Sequence, residues 1–232
     1  FVAWCWKAGG SVTPNNNTNG TIPSTVSANP DAGFSIVGWN NSTSGAGTFT
    51  LGHGLNSAPQ LIIVKSRDTD DRWTIYSETT GVQNYLQFSA AAVSPYSNAF
   101  PVAPTSSVFT LYNTWPPFQG DDYIAYCFHS VDSYQKVGSY TGTGSAGNTV
   151  TTGFEPRWIM MKKTNGTSNW FMHDNLRNGA TGANDGILFA NLSSAEDASY
   201  NYIDFNSNGF TLNFNNPDYN SNGGTYIYLA IA

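Results

Sequence analysis

Charge is in short supply. Only 10% of the 232 residues are Asp, Glu, Lys or Arg, against about a quarter in an ordinary globular chain. That excludes a charged helical bundle, a coiled coil and a charge-rich disordered tail. Basic residues are scarcer still: nine Lys and Arg, scattered along the chain, leave a formal charge of −6 and a pI near 4.7. Nucleic-acid binding needs a basic face, and none is available. No apolar run approaches the roughly 18 residues of a membrane-spanning helix. No signal peptide is visible. Phe1 already stands inside an apolar, strand-like run, so the expectation is a processed or partial chain.

Asn and Gly are plentiful, at 26 and 23 residues, and they punctuate short apolar runs. Leu61 to Val64, Ile159 to Met161 and Tyr226 to Ile231 are rich in β-branched or aromatic types, and Trp73/Ile75 and Trp170/Met172 alternate with period two. These are strand signals. Turn signals such as Asn165-Gly166, Asn208-Gly209 and Gly223-Gly224 recur between them. The best helical candidates are Ser89–Val93 and Ser193–Ala198, the latter opening on a capping-box pattern. Little or no helix is expected.

The chain repeats itself. Phe1-Val2-Ala3-Trp4-Cys5-Trp6 aligns with Tyr123-Ile124-Ala125-Tyr126-Cys127-Phe128, and a third copy, Tyr226 to Ile231, closes the chain. In the same order, 34–38 aligns with 134–138, 58–65 with 155–162, 73–76 with 170–173 and 109–111 with 210–212. The fold class expected is all-β: two tandem homologous β-sandwich modules, jelly-roll-like, at 1–122 and 123–232, the second closed by strand 226–231. The first carries loop insertions at 11–31 and 95–105. Three boundary strands for two modules leave one short of neighbours. Phe1, Val2, Ala3, Trp4, Cys5 and Trp6 are therefore expected to form an assembly strand, pairing with an upstream segment, another subunit or the first module's own edge.

Catalytic constellations are sparse. His53, His129 and His173 show neither HxH nor HExxH spacing, and no G-x-S-x-G elbow exists. Nothing in the spacing forces a carboxylate pair for glycoside hydrolysis. No catalytic residue is assigned and an enzyme is not expected. Cys5 and Cys127 are expected to be free, inert and buried. No cofactor is expected. Calcium is the ion weighed, at Asp218, Asn220 and Asn222 in a D-x-N-x-N-G string, but the acid that would complete the loop is missing. Hydrogen-bonded Asx turns explain such strings as well.

Aromatics are the strongest hint. Trp73 and Trp170 are duplicated and read as core. Trp39, Tyr96, Trp115, Phe118 and Tyr219 lie near loops, and most lack an aromatic counterpart in the other module. An exposed ring stacks on the apolar face of a sugar, while Asn, Asp and Gln read its hydroxyls. These five are the candidate glycan contacts.

The strings Tyr123 to Phe128, Val137-Gly-Ser-Tyr-Thr-Gly-Thr-Gly144, Thr152-Gly-Phe-Glu-Pro156, Leu188-Phe-Ala-Asn-Leu-Ser193 and Gly223-Gly-Thr-Tyr-Ile-Tyr228 resemble an uncharacterised domain family of tail-fibre and virion structural proteins of marine and environmental tailed phages. The resemblance implies an extracellular, repeated β-domain on a virion surface, with other virion subunits or copies of itself as partners and a host glycan as ligand. It transfers no catalytic residue. Alternatives are a purely structural filament or decoration subunit joined through its end strands, and a glycan-cleaving tailspike-like enzyme.

Overall fold

Runs in which every second residue is apolar bury one face of a strand and leave the other free. In the computed structural model of the chain such runs become, among the described residues, seventeen strands and one 3-10 turn, Pro30–Ala32. The structure describes residues 2–10, 12–42, 47–113, 120–177 and 186–232. The chain is all-β. Among the described residues no helix is long and apolar enough to cross a membrane. It divides into two compact units: one holds Phe1–Gln87 and Ser94–Val131, the other Phe88–Val93 and Asp132–Ala232.

Unit one contains β1 (Thr25–Asn29), β2 (Phe34–Asn40), β3 (Thr48–Gly52), β4 (Leu61–Ser66), β5 (Thr74–Ser77), the two-residue β6 (Asn84–Tyr85) and β7 (Ser94–Pro95), β8 (Val108–Tyr112) and β9 (Asp122–Phe128). One antiparallel sheet runs β1-β2-β9-β4-β5, and β3 pairs with β8 in a second. Phe49, Leu51, Phe109 and Leu111 of the small sheet share a core with Val37, Trp39, Ile62, Val64, Ala125 and Cys127 of the large one.

Unit two contains β10 (Gln135–Thr141), β11 (Asn148–Thr151), β12 (Trp158–Lys163), β13 (Trp170–Asp174), β14 (Leu188–Phe189), β15 (Ile203–Asn206), β16 (Gly209–Leu212) and β17 (Thr225–Ile231). Its large sheet is β10-β17-β12-β13-β14 and its small one β11-β16-β15. Strand for strand, β2, β9, β4 and β5 correspond to β10, β17, β12 and β13, and the β3–β8 pair to β11–β16. These pairings give each unit a five-stranded sheet and a smaller one of two or three strands. Gly209 is needed in β16 because a Cβ there would fall on the Val150 carbonyl of β11.

Several expectations are corrected. The middle strand belongs to the first unit: β9 lies between β2 and β4, so the first unit runs past 122 to Val131. Conversely, Phe88–Val93 belongs to unit two. Ser168 N–H donates to Ala90 O at 2.9 Å, Val93 N–H to Thr164 O at 2.9 Å, and Phe88 packs edge-on against Trp170 at 5.0 Å. These extended contacts are why Ser89–Val93 is not helical. Ser193–Ala198 is not helical either, because Asp197 bridges Ile187. Trp73 is only half-buried, ahead of β5 and over Tyr126, whereas Trp170, covered by Phe88, is core.

The internal alignment slips by one residue at β2 and β10. Trp39 opposes Tyr123 and Tyr140 opposes Tyr226, so Trp39 corresponds to Tyr140, and Val37 to Gly138. Each forms the same aromatic trio. Trp39 stacks on Tyr123 at 5.4 Å and meets Phe109 edge-on at 6.2 Å; Tyr140 stacks on Tyr226 at 4.7 Å and meets Phe210 edge-on at 6.1 Å. Such pairs contribute about 0.5–1.5 kcal/mol beyond their burial. Beside each trio the volumes are exchanged. Unit one sets Val37 against Ala125; unit two sets Gly138 against Tyr228, whose Cζ would lie 2.6 Å from any Cβ at 138. A lysine is duplicated too. Lys65 Nζ donates to Thr69 O and Asp71 O at 2.8 and 2.6 Å, and Lys162 Nζ to Ser168 O at 2.7 Å, tying each strand end to the loop that follows.

Candidate functional site

The outward face of β1, β2 and β9 floors a groove of about 520 Å³. Because Val37, Trp39, Tyr123 and Ala125 turn into the core, the intervening Ile36, Gly38 and Ile124 turn out. Thr25, Gly38 and Ile124 stand in one cross-strand row, with Ser27 and Ile36 in the next. The wall is a loop of the 11–31 insertion, with Val12, Pro14 and Asn15 lining the groove. Asn15 N–H donates to Thr25 Oγ1 at 2.9 Å. Asn16 holds the loop more firmly. Its side-chain Oδ1 accepts from Val26 N–H at 2.7 Å and its Nδ2 donates to Val26 O at 3.0 Å.

One end of the groove is a polar row of Asn40, Asp122 and Arg67. Asn40 opposes Asp122 across β2 and β9. Arg67, one residue past β4, donates its N–H to Asp122 O at 2.7 Å. Asn40 Nδ2 donates to Asp122 Oδ1 at 2.9 Å, and Asp122 N–H donates to Asp68 Oδ2 at 2.6 Å. Next to this row, Asp121 Oδ2 accepts from Ser66 Oγ and Thr69 Oγ1 at 3.0 and 3.2 Å. The Arg67 guanidinium forms none of the ion pairs found among the described residues. Those join Arg72 to Asp71, and Arg177 to both Asp174 and Glu196. The groove thus combines an apolar floor, neutral hydroxyls and amides, one carboxylate and one exposed cation that has no ion-pair partner among the described residues.

Of the aromatics expected at the surface, Trp39 and Tyr219 are buried, although Trp39 is among the groove's lining residues. Trp39 is 5% exposed and Tyr219 1%. Trp39 occupies a core-facing strand position, and Tyr219 is closed over by Phe171 and Tyr202 at 5.3 and 6.0 Å. Tyr96 is 40% exposed but does not line the groove. Trp115 and Phe118 lie outside the described residues. Arg67, Gly38, Ile36 and Ile124 were not singled out by sequence. Only the period-two alternation of β2 and β9 marks the last three as a shared outer face.

Val2–Trp6 joins no strand, and Phe1 lies outside the described residues. The chain just after it runs along β1: Asn29 Nδ2 donates to Lys7 O at 3.0 Å and Ser27 Oγ to Gly10 O at 3.4 Å. Both cysteines are free, but Cys5 is exposed because its segment is not a core strand; Cys127 is buried opposite Ser35. Burial pushes the Cys127 thiol up to about 12.

The weak calcium candidates do different work. Asn220 is fully buried, and its Oδ1 accepts from Thr143 N–H and Asn148 Nδ2 at 3.0 and 2.9 Å, while its Nδ2 donates to Ser145 O at 2.8 Å. Its amide therefore clamps the 142–148 loop. Asn222 is exposed, and Asp218 N–H caps on Asn216 Oδ1 at 2.7 Å. Among the described residues no three His, Cys, Asp or Glu side chains gather as a metal site.

His53 and His173 are both buried. His53 is buried; its Nδ1 accepts from Leu55 N–H at 3.1 Å, so Nε2–H donates to Thr105 O at 3.1 Å. Only the neutral ring satisfies both bonds, and burial holds its pKa below the usual value. His173 is buried in β13; desolvation, with Arg177 nearby, lowers it to about 3.

The whole chain, residues 1–232, matches the model of a family described as Domain of unknown function (DUF7483). No curated protein and no solved structure matches it.

Proposed function

The chain belongs to this family of unknown function, and from its groove we propose that it is a glycan-binding module of a virion surface appendage, such as a tail fibre. The observation that carries the binding half is the groove on unit one, with its apolar floor and hydroxyl, amide and carboxylate rim. A sugar presents a C–H face to such a floor and hydroxyls to such a rim. The resemblance of the 123–228 strings to phage tail-fibre proteins supports the virion half, and with it an extracellular site of action. Weak single contacts suit an appendage present in several copies, where avidity multiplies them. A binding role rather than a catalytic one accords with the commitment of His53 to two structural hydrogen bonds.

The test is a glycan array probed with the intact chain, followed by calorimetry on any positive. Binding that Gly38→Leu abolishes is the expected result. Silence of the parent protein across bacterial surface glycans removes the binding half. Copurification with virions, read by immunogold labelling of phage particles, tests the other half.

A further inference from the structure

We infer that the groove of unit one takes an acidic glycan, one whose sugar carries a carboxylate, with Arg67 as the group that reads it. This rests on the glycan reading above and narrows it. Two of the chain's four arginines, Arg72 and Arg177, are occupied by carboxylates of their own unit. Arg67 is exposed at the groove's polar end and has no such partner among the described residues. A guanidinium presents parallel N–H donors that match a carboxylate in two-point contact. In a chain with a net charge of −6, an exposed arginine beside a cavity is also the local exception that an anion would seek.

The neighbours of Arg67 supply the rest of the recognition. Asp122, adjacent in the same cross-strand row, accepts hydrogen bonds and repels a second anion, so it suits a sugar hydroxyl next to the carboxylate. Asn40 already donates to Asp122 Oδ1 and fixes that carboxylate in place. Thr25 and Ser27 offer hydroxyls farther along, and Ile36 and Ile124 an apolar floor. Gly38 keeps the floor open. A Cβ there would meet nothing closer than 3.9 Å, and its backbone is not in the left-handed region. A side chain at 38 therefore fits the strand and fills the groove.

The probes are oligosaccharides of polygalacturonate, alginate and hyaluronan, each beside its carboxyl-reduced form, titrated calorimetrically into the intact chain at low and high salt. At least one acidic oligosaccharide is expected to bind. Carboxyl reduction and Arg67→Ala should each weaken it about tenfold, the scale of one charged hydrogen-bonded contact, with Arg67→Lys falling between. Gly38→Leu should abolish binding while its thermal unfolding matches the parent's. Equal binding of acidic and reduced forms, or an Arg67→Ala variant that binds like the parent, overturns the carboxylate inference and leaves the glycan reading standing. Binding unaffected by Gly38→Leu overturns the groove for both, as does silence toward every probe together with every neutral glycan on the array.

Discussion

The side-chain amide of Asn16 pairs with both backbone groups of Val26, taking its N–H at 2.7 Å and giving to its carbonyl at 3.0 Å. An amide side chain thereby stands in for a strand along the outer edge of β1. Sheet edges left open invite another chain, and here a single asparagine fills the role at one position. Asn16→Ala is expected to lower stability by about 1–2 kcal/mol for two lost hydrogen bonds. It should also raise the apparent mass seen by light scattering as the edge becomes available. A variant that stays monomeric and as stable as the parent would show that the loop, not the amide, guards the edge.

The exchanged volumes at Val37/Ala125 and Gly138/Tyr228 predict a coupled pair. Gly138→Val alone drives a side chain into the Tyr228 ring and should cost on the order of 1–3 kcal/mol by overpacking. Tyr228→Ala alone empties the core, at about 3–5 kcal/mol if it behaves like other large aromatic truncations. The double variant recreates the arrangement of unit one and should lose clearly less than the sum. Urea unfolding of the four proteins measures the coupling; strict additivity would refute it.

Acid should loosen the fold through its histidines. His53 and His173 titrate below their unfolded value in the native state, both chiefly because they are buried. Between the unfolded pKa near 6.5 and the native value, about 3 for His173, the unfolded chain holds more protons. Stability is therefore fully present above about pH 6.5 and is lost as pH falls below it. Replacing His173 with Phe should flatten the decline in denaturant midpoint between pH 7.5 and 5. A variant with the parent's slope would assign the loss to other groups.

Lys162 acts in the opposite range. Burial lowers its ammonium from 10.5 to about 8, with Asp218 pulling up and Lys163 pushing down. Above about pH 8 the native state releases this proton before the unfolded chain does, so this group makes stability rise with pH toward 10.5. Lys162→Met removes that rise. It also leaves Ser168 O without its lysine donor, and amide exchange in Phe88–Val93 and in the 164–169 loop should quicken.

Thiol reactivity separates the two cysteines. Cys5 is exposed and Cys127 is sealed in the core with its thiol held up to about 12. A disulfide reagent added to native protein at pH 8 should modify one thiol per chain promptly, and the second only on unfolding. Loss of the prompt signal in Cys5→Ser completes the test; two prompt thiols would contradict the buried position of Cys127.

Much of this fold is visible in the residues, and the reason is local. Leu61 to Lys65 and Trp158 to Lys162 keep the same register against β9 and β17, so their shared pattern survives as shared structure. The identical Val37-Gly38 and Val137-Gly138 dipeptides mislead, because they face opposite ways: Trp39 and Tyr140, not the glycines, hold equivalent places. Which face a strand residue takes is set by partners distant in sequence, and one step of slippage reverses it. The same long-range packing turned Trp39 and Tyr219 inward. Arg67 escaped notice because the groove draws its lining from separate stretches around 12–15, 25–27, 36–40, 67 and 122–124, and no spacing rule unites them.

Phe88–Val93 sits within the unit that otherwise begins at Asp132. Unit two thus takes a segment from within the stretch of chain that otherwise forms unit one, so the boundary suggested by the sequence repeat is not where the units divide. A shortened chain starting at Asp132 would hold β10 to β17 without the stretch that covers Trp170 and receives the hydrogen bond of Ser168. Laboratory dissection of the chain therefore has to keep Phe88–Val93 with the later strands.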